Sequence, residues 1–328
     1  MNEIPSTQEE QGHFLYTLYN LFCTHKVYIT RSINQRKSIF LQRIEMFFRE
    51  QQAYREWVKM LHKPEYVLQC KQPMPKPSSQ VRRKKMQEMS CSAVEKLIRN
   101  PYSFYIEYIL NLKKLRNLNS KPSILEFGIM VHSIFEKYLQ NTCNDCMEIA
   151  KNEFFSSKFN FSSMWWVRLQ KIVQSFIELN KTRSKYIEVE KKFSFPALKE
   201  ILITAKCDRV EYLSGDQIVI IDYKFGAIPS HDEVMSGFFP QLILQALAVE
   251  YITRKETSEL AYWKFDYDQI KITSLEKYKE RMIEFQEIIP IFLSKYLNED
   301  TAFIASPYWY QFLKFNNYTH LERLKEWL

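Results

Sequence analysis

Glycine is scarce in this chain: five residues in 328, so each Gly is expected where a Cβ would not fit. No run of 18 apolar residues occurs, and no apolar stretch opens the N-terminus. Both absences argue against a spanning helix and a signal peptide. Cysteine pairs are almost lacking too. Of Cys23, Cys70, Cys91, Cys143, Cys146 and Cys207, only Cys143 and Cys146 are closely spaced. One CxxC with neither a second pair nor a His partner is a weak metal signal. The expectation is a cytoplasmic protein with reduced thiols. Internal repeats and low-complexity tracts are absent as well.

The composition is that of a globular chain, 46% hydrophobic and 26% charged, long enough for one large or two ordinary domains. Its net charge of +8 is unevenly spread: 15 Lys and Arg against 8 Asp and Glu over residues 1–90, but 31 against 30 over 91–328. A basic arm beside a near-neutral body suits a polyanion such as nucleic acid, although a solvated Lys-rich surface reads the same way.

Residues 1–70 are helical in pattern, with Phe14, Leu15, Leu18, Leu21 and Phe22, then Phe40, Leu41, Ile44, Phe47 and Phe48, at helical spacing. Val27 to Thr30 could form a short strand. Residues 71–85 read as a basic, Pro-rich linker without regular structure, ending in Arg82, Arg83, Lys84 and Lys85. From 86 to 328 a second block follows. Ser92 and Glu95 predict a capping box, and Pro101 opens a further helix. Longer helices are expected over about 124–140 and 163–179. Strands are expected over 186–193, 200–213, 217–225 and 260–265. Helices from Gln241 and over most of the last sixty residues complete the reading.

On the strand 217–225, Ile218, Ile220, Asp222 and Lys224 share one face, and Val219, Ile221, Tyr223 and Phe225 the other. Both faces are mostly apolar, so the strand is central and covered twice. Charges at its end are costly without partners. A three-residue turn at Ser214-Gly215-Asp216 pairs 213 with 217 and sets Asp208 across from Asp222. Their Cβ atoms would then lie roughly 4.5–5.5 Å apart. Two carboxylates that close are relieved by a proton or by a hard divalent cation, and Lys224 on the same face can hold water or a phosphate oxygen. The bland alternative is a surface hairpin whose acids face solvent. His132 falls on the apolar stripe of Leu125, Gly128, Phe135 and Leu139, where a histidine is more often core than ligand. Gln241 is either a helix-start residue or a contact to a phosphate or base edge. Glu188 and Glu190 read as a solvated face.

Gly128-x-x-x-His132, Cys207-Asp208-Arg209-Val210-Glu211, Ile221-Asp222-Tyr223-Lys224 and Gln241, in this order and spacing, resemble the RecB-type branch of the PD-(D/E)XK nucleases. The resemblance is closest to the C-terminal nuclease part of the AddB subunits of AddAB helicase–nucleases, and it covers most of residues 86–328. It implies an α/β restriction-endonuclease-like core, a small mixed sheet flanked by helices, with an additional N-terminal helical segment. Residues 1–70 would correspond to the tail of a helicase-like region. It implies that His132, Asp208 and Asp222 hold Mg²⁺ (or Mn²⁺), helped by the Tyr223 carbonyl. Lys224 would orient or activate the water, and Gln241 would lie near the DNA backbone. The implied activity is metal-dependent DNA cleavage in recombinational double-strand break repair, with DNA and an AddA-like helicase–nuclease as partners. The alternative is a non-catalytic DNA-binding scaffold, and an RNA-directed nuclease ranks below both.

Three residues depart from the family pattern. Cys207 precedes the first acid where Pro is common, and Gln245 stands where a Tyr is expected. Asn100 stands where some AddB proteins place an iron–sulfur ligand, and no C-terminal cysteine group exists, so no cluster is expected. The chain is also much shorter than AddB proteins, as a split gene, a stand-alone nuclease or a remnant would be.

Overall fold

The computed structural model describes residues 7–23, 27, 29, 34, 36–47, 71–113, 121–140, 145–159, 161–183, 186–266, 269–308 and 317–323. The chain divides into two compact units, Met1–Leu68 and Gln69–Leu328. In the first, helices α1 (Thr7–Phe22) and α2 (Ile39–Phe47) are joined by a tilted contact of the Phe14 and Phe40 rings. Tyr28 and Thr30 of the possible strand at 27–30 lie outside the described residues.

The second unit begins extended and then turns into helix α3 (Ser79–Met86), followed by strand β1 (Glu88–Ser90) and helix α4 (Cys91–Arg99). Residues 71–78 have no regular secondary structure, as expected of the linker, but the expectation is corrected over 79–85, which are helical. Pro73 and Pro75 accept backbone hydrogen bonds from Ala305 and Phe303, and the α3 residue Arg82 is fully buried. Its guanidinium donates to the carbonyls of Pro77, Tyr296, Glu299 and Thr301 at 2.7–3.1 Å. Arg83 pairs with Glu200. Of the four basic residues, Lys84 and Lys85 alone stay exposed without an ion pair among the described residues. Arg82 thus clamps the segment before α3 to the C-terminal end of the helix over Tyr278–Leu297 and the residues that follow it. Arg82→Ala strands four carbonyls in the interior, and we expect it to cost about 2–4 kcal/mol in denaturant unfolding. Arg83→Ala, at an exposed pair, should cost less than about 1 kcal/mol.

The N-cap of α4 also differs from expectation. Ser90, not Ser92, takes the Ala93 amide, because the helix starts one residue after β1 ends. Helix α5 (Pro101–Phe104) follows with Asn100 as its cap. Then come α6 (Ile124–Gln140), α7 (Cys146–Phe155) and α8 (Ser163–Lys181). Next are strands β2 (Ile187–Leu198), β3 (Ile201–Tyr212) and β4 (Gln217–Lys224), short helix α9 (His231–Met235) and helix α10 (Gln241–Thr253). Strands β5 (Glu256–Phe265) and β6 (Ile270–Ser274), helix α11 (Tyr278–Leu297) and α12 (Thr319–Glu322) complete the unit. A capping box of Ser230 and Glu233 opens α9.

Among the described residues the six strands form one mixed sheet, ordered β1-β3-β4-β5-β6 with β2 on β3. β4 alternates between two cores. Ile218 and Ile220 pack beneath α10 and α11, and Val219, Ile221 and Tyr223 pack against α6 and α8. This is the doubly covered strand read from its apolar faces. Helix α10 is buried at every position from Leu242 to Val249, Gln245 included, as an all-round apolar helix must be. The result is the restriction-endonuclease-like α/β arrangement. No helix among the described residues is long and apolar enough to cross a membrane.

Candidate active site

Strands β3 and β4 pair in the expected register, from Tyr212 with Ile218 to Arg209 with Ile221, closed by the Leu213 amide on the Gln217 carbonyl at 2.9 Å. At the next step the ladder stops. The Asp208 carboxylate accepts the Tyr223 amide at 2.7 Å instead of facing Asp222 directly. The cause is a break in strand parity. Ala205 and Cys207 face the same core as Val210, so the alternation slips at Asp208.

β2 brings an unexpected residue into the same place. Its ladder with β3 passes from Val189–Arg209 to Lys191–Cys207 and skips Glu190, whose φ is +49°. Glu190 Oε1 lies 3.0 Å from His132 Nδ1, and Asp208 Oδ1 lies 3.4 Å from the same nitrogen. One ligand atom from each of His132, Glu190 and Asp208 falls within 4.8 Å of the others. The reading of Glu190 as solvated is thereby corrected: its side chain is 9% exposed. The register explains why. A bulge between Pro196 and Leu198 shifts β2 by one residue, and without it Lys191 would stand across from Asp208. Pro196 within a strand pattern was the available signal, since proline in strands marks edges and bulges.

His132 reaches this cluster from α6, where Gly128 lets the helix approach β4. A Cβ on Gly128 would meet the Phe225 ring at 3.1 Å. Burial works against the imidazolium, but hydrogen bonds to Asp208 and Glu190 outweigh it and push its pKa up to about 10. Burial likewise opposes the Glu190 carboxylate, while His132 and Lys206 hold its pKa below the ordinary value. A histidine raised from 6.5 to about 10 contributes stability that is complete below pH 6.5 and is lost as the pH rises through 10. In chelator, the unfolding free energy of the wild type should therefore fall more steeply between these limits than that of His132→Gln. Parallel curves would show that the carboxylates do not hold the ring.

Asp222 stands beside the cluster but not in it. Its side chain is 2% exposed, Oδ2 lies 2.7 Å from Lys224 Nζ, and Oδ1 accepts Gln241 Nε2 at 2.8 Å. Gln241 Oε1 in turn accepts Lys224 Nζ at 3.2 Å, so the amide spans the pair. Burial pushes the Asp222 carboxyl up, with Lys224 opposing and Asp208 adding to the rise. Gln245 Nε2 donates to the Lys206 carbonyl at 3.1 Å. The Tyr223 ring is buried against Phe135, Phe176 and Trp263, which leaves its main chain as the part that meets the site. His132, Glu190, Tyr223, Lys224 and Gln241 line a cleft of about 690 Å³, along with Glu95 and the apolar Ile124, Leu125 and Ile129.

The donor set is one imidazole nitrogen and carboxylate oxygens, which suits a hard divalent cation such as Mg²⁺ or Mn²⁺. The residues fit such an ion: three donors already converge, and each carboxylate has a cationic side chain where a metal charge would serve. Cys146 is buried at the start of α7 and its thiol is pushed up to about 12, while Cys143 lies outside the described residues. Asn100 donates to Glu322 Oε1 at 2.8 Å and to Ser306 Oγ at 3.3 Å, a buried polar tie to the C-terminal helix.

Residues 88–309 match the PD-(D/E)XK nuclease superfamily. The chain belongs to this superfamily. An uncharacterized protein of Rickettsia typhi is 30% identical over 200 residues, which span 53% of this chain and 23% of that protein. The B component of an ATP-dependent helicase/deoxyribonuclease of Streptococcus pyogenes is 25% identical over 189 residues, 53% of this chain and 17% of that protein. This PD-(D/E)XK chain therefore spans less than a quarter of the length of either relative. The crystal structure of SSO0001 aligns with 64% of this chain and 84% of its own at 11% identity, with a TM-score of 0.28.

Proposed function

We propose that this chain is a divalent-metal-dependent nuclease that hydrolyses DNA phosphodiester bonds in the cytoplasm, in recombinational double-strand break repair. The convergence of His132, Glu190 and Asp208 beside the Asp222–Lys224–Gln241 network carries the reading. Membership of a nuclease superfamily and the likeness to a helicase/deoxyribonuclease component support it. His132, Glu190 and Asp208 would hold Mg²⁺ or Mn²⁺, with Asp222 and the Tyr223 carbonyl completing its surroundings. When bound, the ion supplies positive charge against the phosphoryl oxygens and makes bound water more acidic.

The other roles belong to the chain. Lys224 is anchored by Asp222 and Gln241, and its ammonium orients the attacking water and donates a hydrogen bond to a phosphate oxygen. Gln241 fixes Asp222 and Lys224 relative to each other and lies against the DNA backbone. The Tyr223 amide fixes the Asp208 carboxylate. The buried β4 strand holds Asp222, Tyr223 and Lys224 on a rigid element, so little reorganisation accompanies reaction. The repair role and an AddA-like helicase partner rest on the likeness to the streptococcal helicase/deoxyribonuclease component. The test is incubation of purified chain with linear and nicked DNA in Mg²⁺ or Mn²⁺, with and without chelator. Metal-dependent cleavage is expected. DNA binding without cleavage in any metal would favour a non-catalytic scaffold instead.

A further inference from the structure

A second groove, of about 490 Å³, opens beside the cleft and shares Lys206 and Gln241 with it. The sheet creates it. Along one edge, β3 is paired with β1 at residues 202–204 and with β4 from Arg209 onward, and residues 205–208 between them meet no strand there. Ser90 and Ser92 at the start of α4, Thr204, Lys192 and Lys206 line the opening. Lys192 and Lys206 are direct cross-strand partners in the β2–β3 ladder. Like charges in that relation destabilise a sheet unless an anion lies between or beside them. Lys206 is paired with Glu190. Lys192 is exposed, and its ammonium has no ion pair or hydrogen bond among the described residues. Glu88, the acid that lines the groove, is engaged by the Thr204 hydroxyl at 3.1 Å. The α4 N-terminus adds partial positive charge on the same side.

We propose that this groove is a subsite for a backbone phosphate flanking the scissile one, held by Lys192 and Lys206 with the Ser90 and Ser92 hydroxyls. The proposal rests on the nuclease reading and names how its substrate is gripped. Lys206 links the two sites. In the metal-free chain it neutralises Glu190, and with Glu190 engaged as a metal ligand its ammonium is free for the phosphate. Lys192 has no such second duty, so it isolates the subsite in an experiment.

Lys192→Ala and Lys192→Glu should be compared with wild type in two measurements. One is binding of a fluorescent single-stranded oligonucleotide in chelator across a salt series. The other is hydrolysis, in Mn²⁺, of that oligonucleotide and of bis(p-nitrophenyl) phosphate, which has no flanking phosphate. We expect Lys192→Glu to raise the oligonucleotide Kd and KM about tenfold, and Lys192→Ala to reduce the salt slope by about 0.7. Both variants should hydrolyse the small ester as wild type does. Unchanged oligonucleotide affinity and salt slope would overturn the subsite, and so would equal losses on the two substrates. Wild type that hydrolyses neither substrate, while the binding differences hold, would instead refute the nuclease reading and leave the phosphate groove standing.

Discussion

Asp222→Asn is expected to lower DNA cleavage by at least about 10²–10³-fold while the chain stays folded. Asp222 is buried at the end of a strand covered on both faces, and its two oxygens serve Lys224 and Gln241. Asn keeps the shape and one acceptor oxygen, so Gln241 retains a partner. What disappears is the negative charge that holds the Lys224 ammonium and that would face a cation. The fold is spared the cost of burying that charge but leaves Lys224, which is 25% exposed, to find solvent. The two effects oppose each other, and a net change within about 1–2 kcal/mol is expected in chelator. Lys224→Ala should abolish cleavage equally yet leave Mn²⁺ binding intact, because an ammonium offers no lone pair to a metal. A structural Asp–Lys pair without catalytic purpose would give the opposite pattern, with lost stability and unchanged cleavage. Melting curves and single-turnover cleavage on the same samples separate them.

Saturating Mn²⁺ should raise the melting temperature of the wild type. An ion at about 100 times its Kd stabilises by about 2.7 kcal/mol, which for a domain of this size is a shift of about 5–10 °C. The effect should require the triad. Asp208→Asn and Glu190→Gln should each lose most of the shift, whereas Lys224→Ala should keep it. Glu190 makes this test specific to the geometry, because the sequence motifs alone assign it no part. A full Mn²⁺ shift in Glu190→Gln would remove it from the ligand set.

That Asp222 and Lys224 are neighbours was legible in the sequence because strand parity decides it. Ile218 through Phe225 alternate without interruption, and Gly215 with φ of +84° closes the turn that fixes the register. Family likeness, more than its apolar stripe, drew His132 into the site. Glu190 was hidden because its inward turn depends on two irregularities, the bulge after Pro196 and its own left-handed backbone. Asp208 was placed on the right strand but aimed wrongly, since the parity slip at that residue has no marker in a one-letter pattern. The segment 71–85 misled for another reason. Its prolines and basic residues describe a solvated linker until 303–305 and the carbonyls at and after the end of α11 are close enough to bind them. Those partners are more than 200 residues away. The short strands β1 and β6 were missed likewise, since three and five residues carry little periodicity of their own.

The most direct test of the account is cleavage of end-labelled linear DNA by wild type and Asp208→Asn, purified identically, in Mg²⁺ and in chelator. The account predicts cleavage by the wild type in Mg²⁺ alone, and none by the variant in either condition. Cleavage that persists in chelator, or that Asp208→Asn matches, would contradict a metal-dependent reaction at this site.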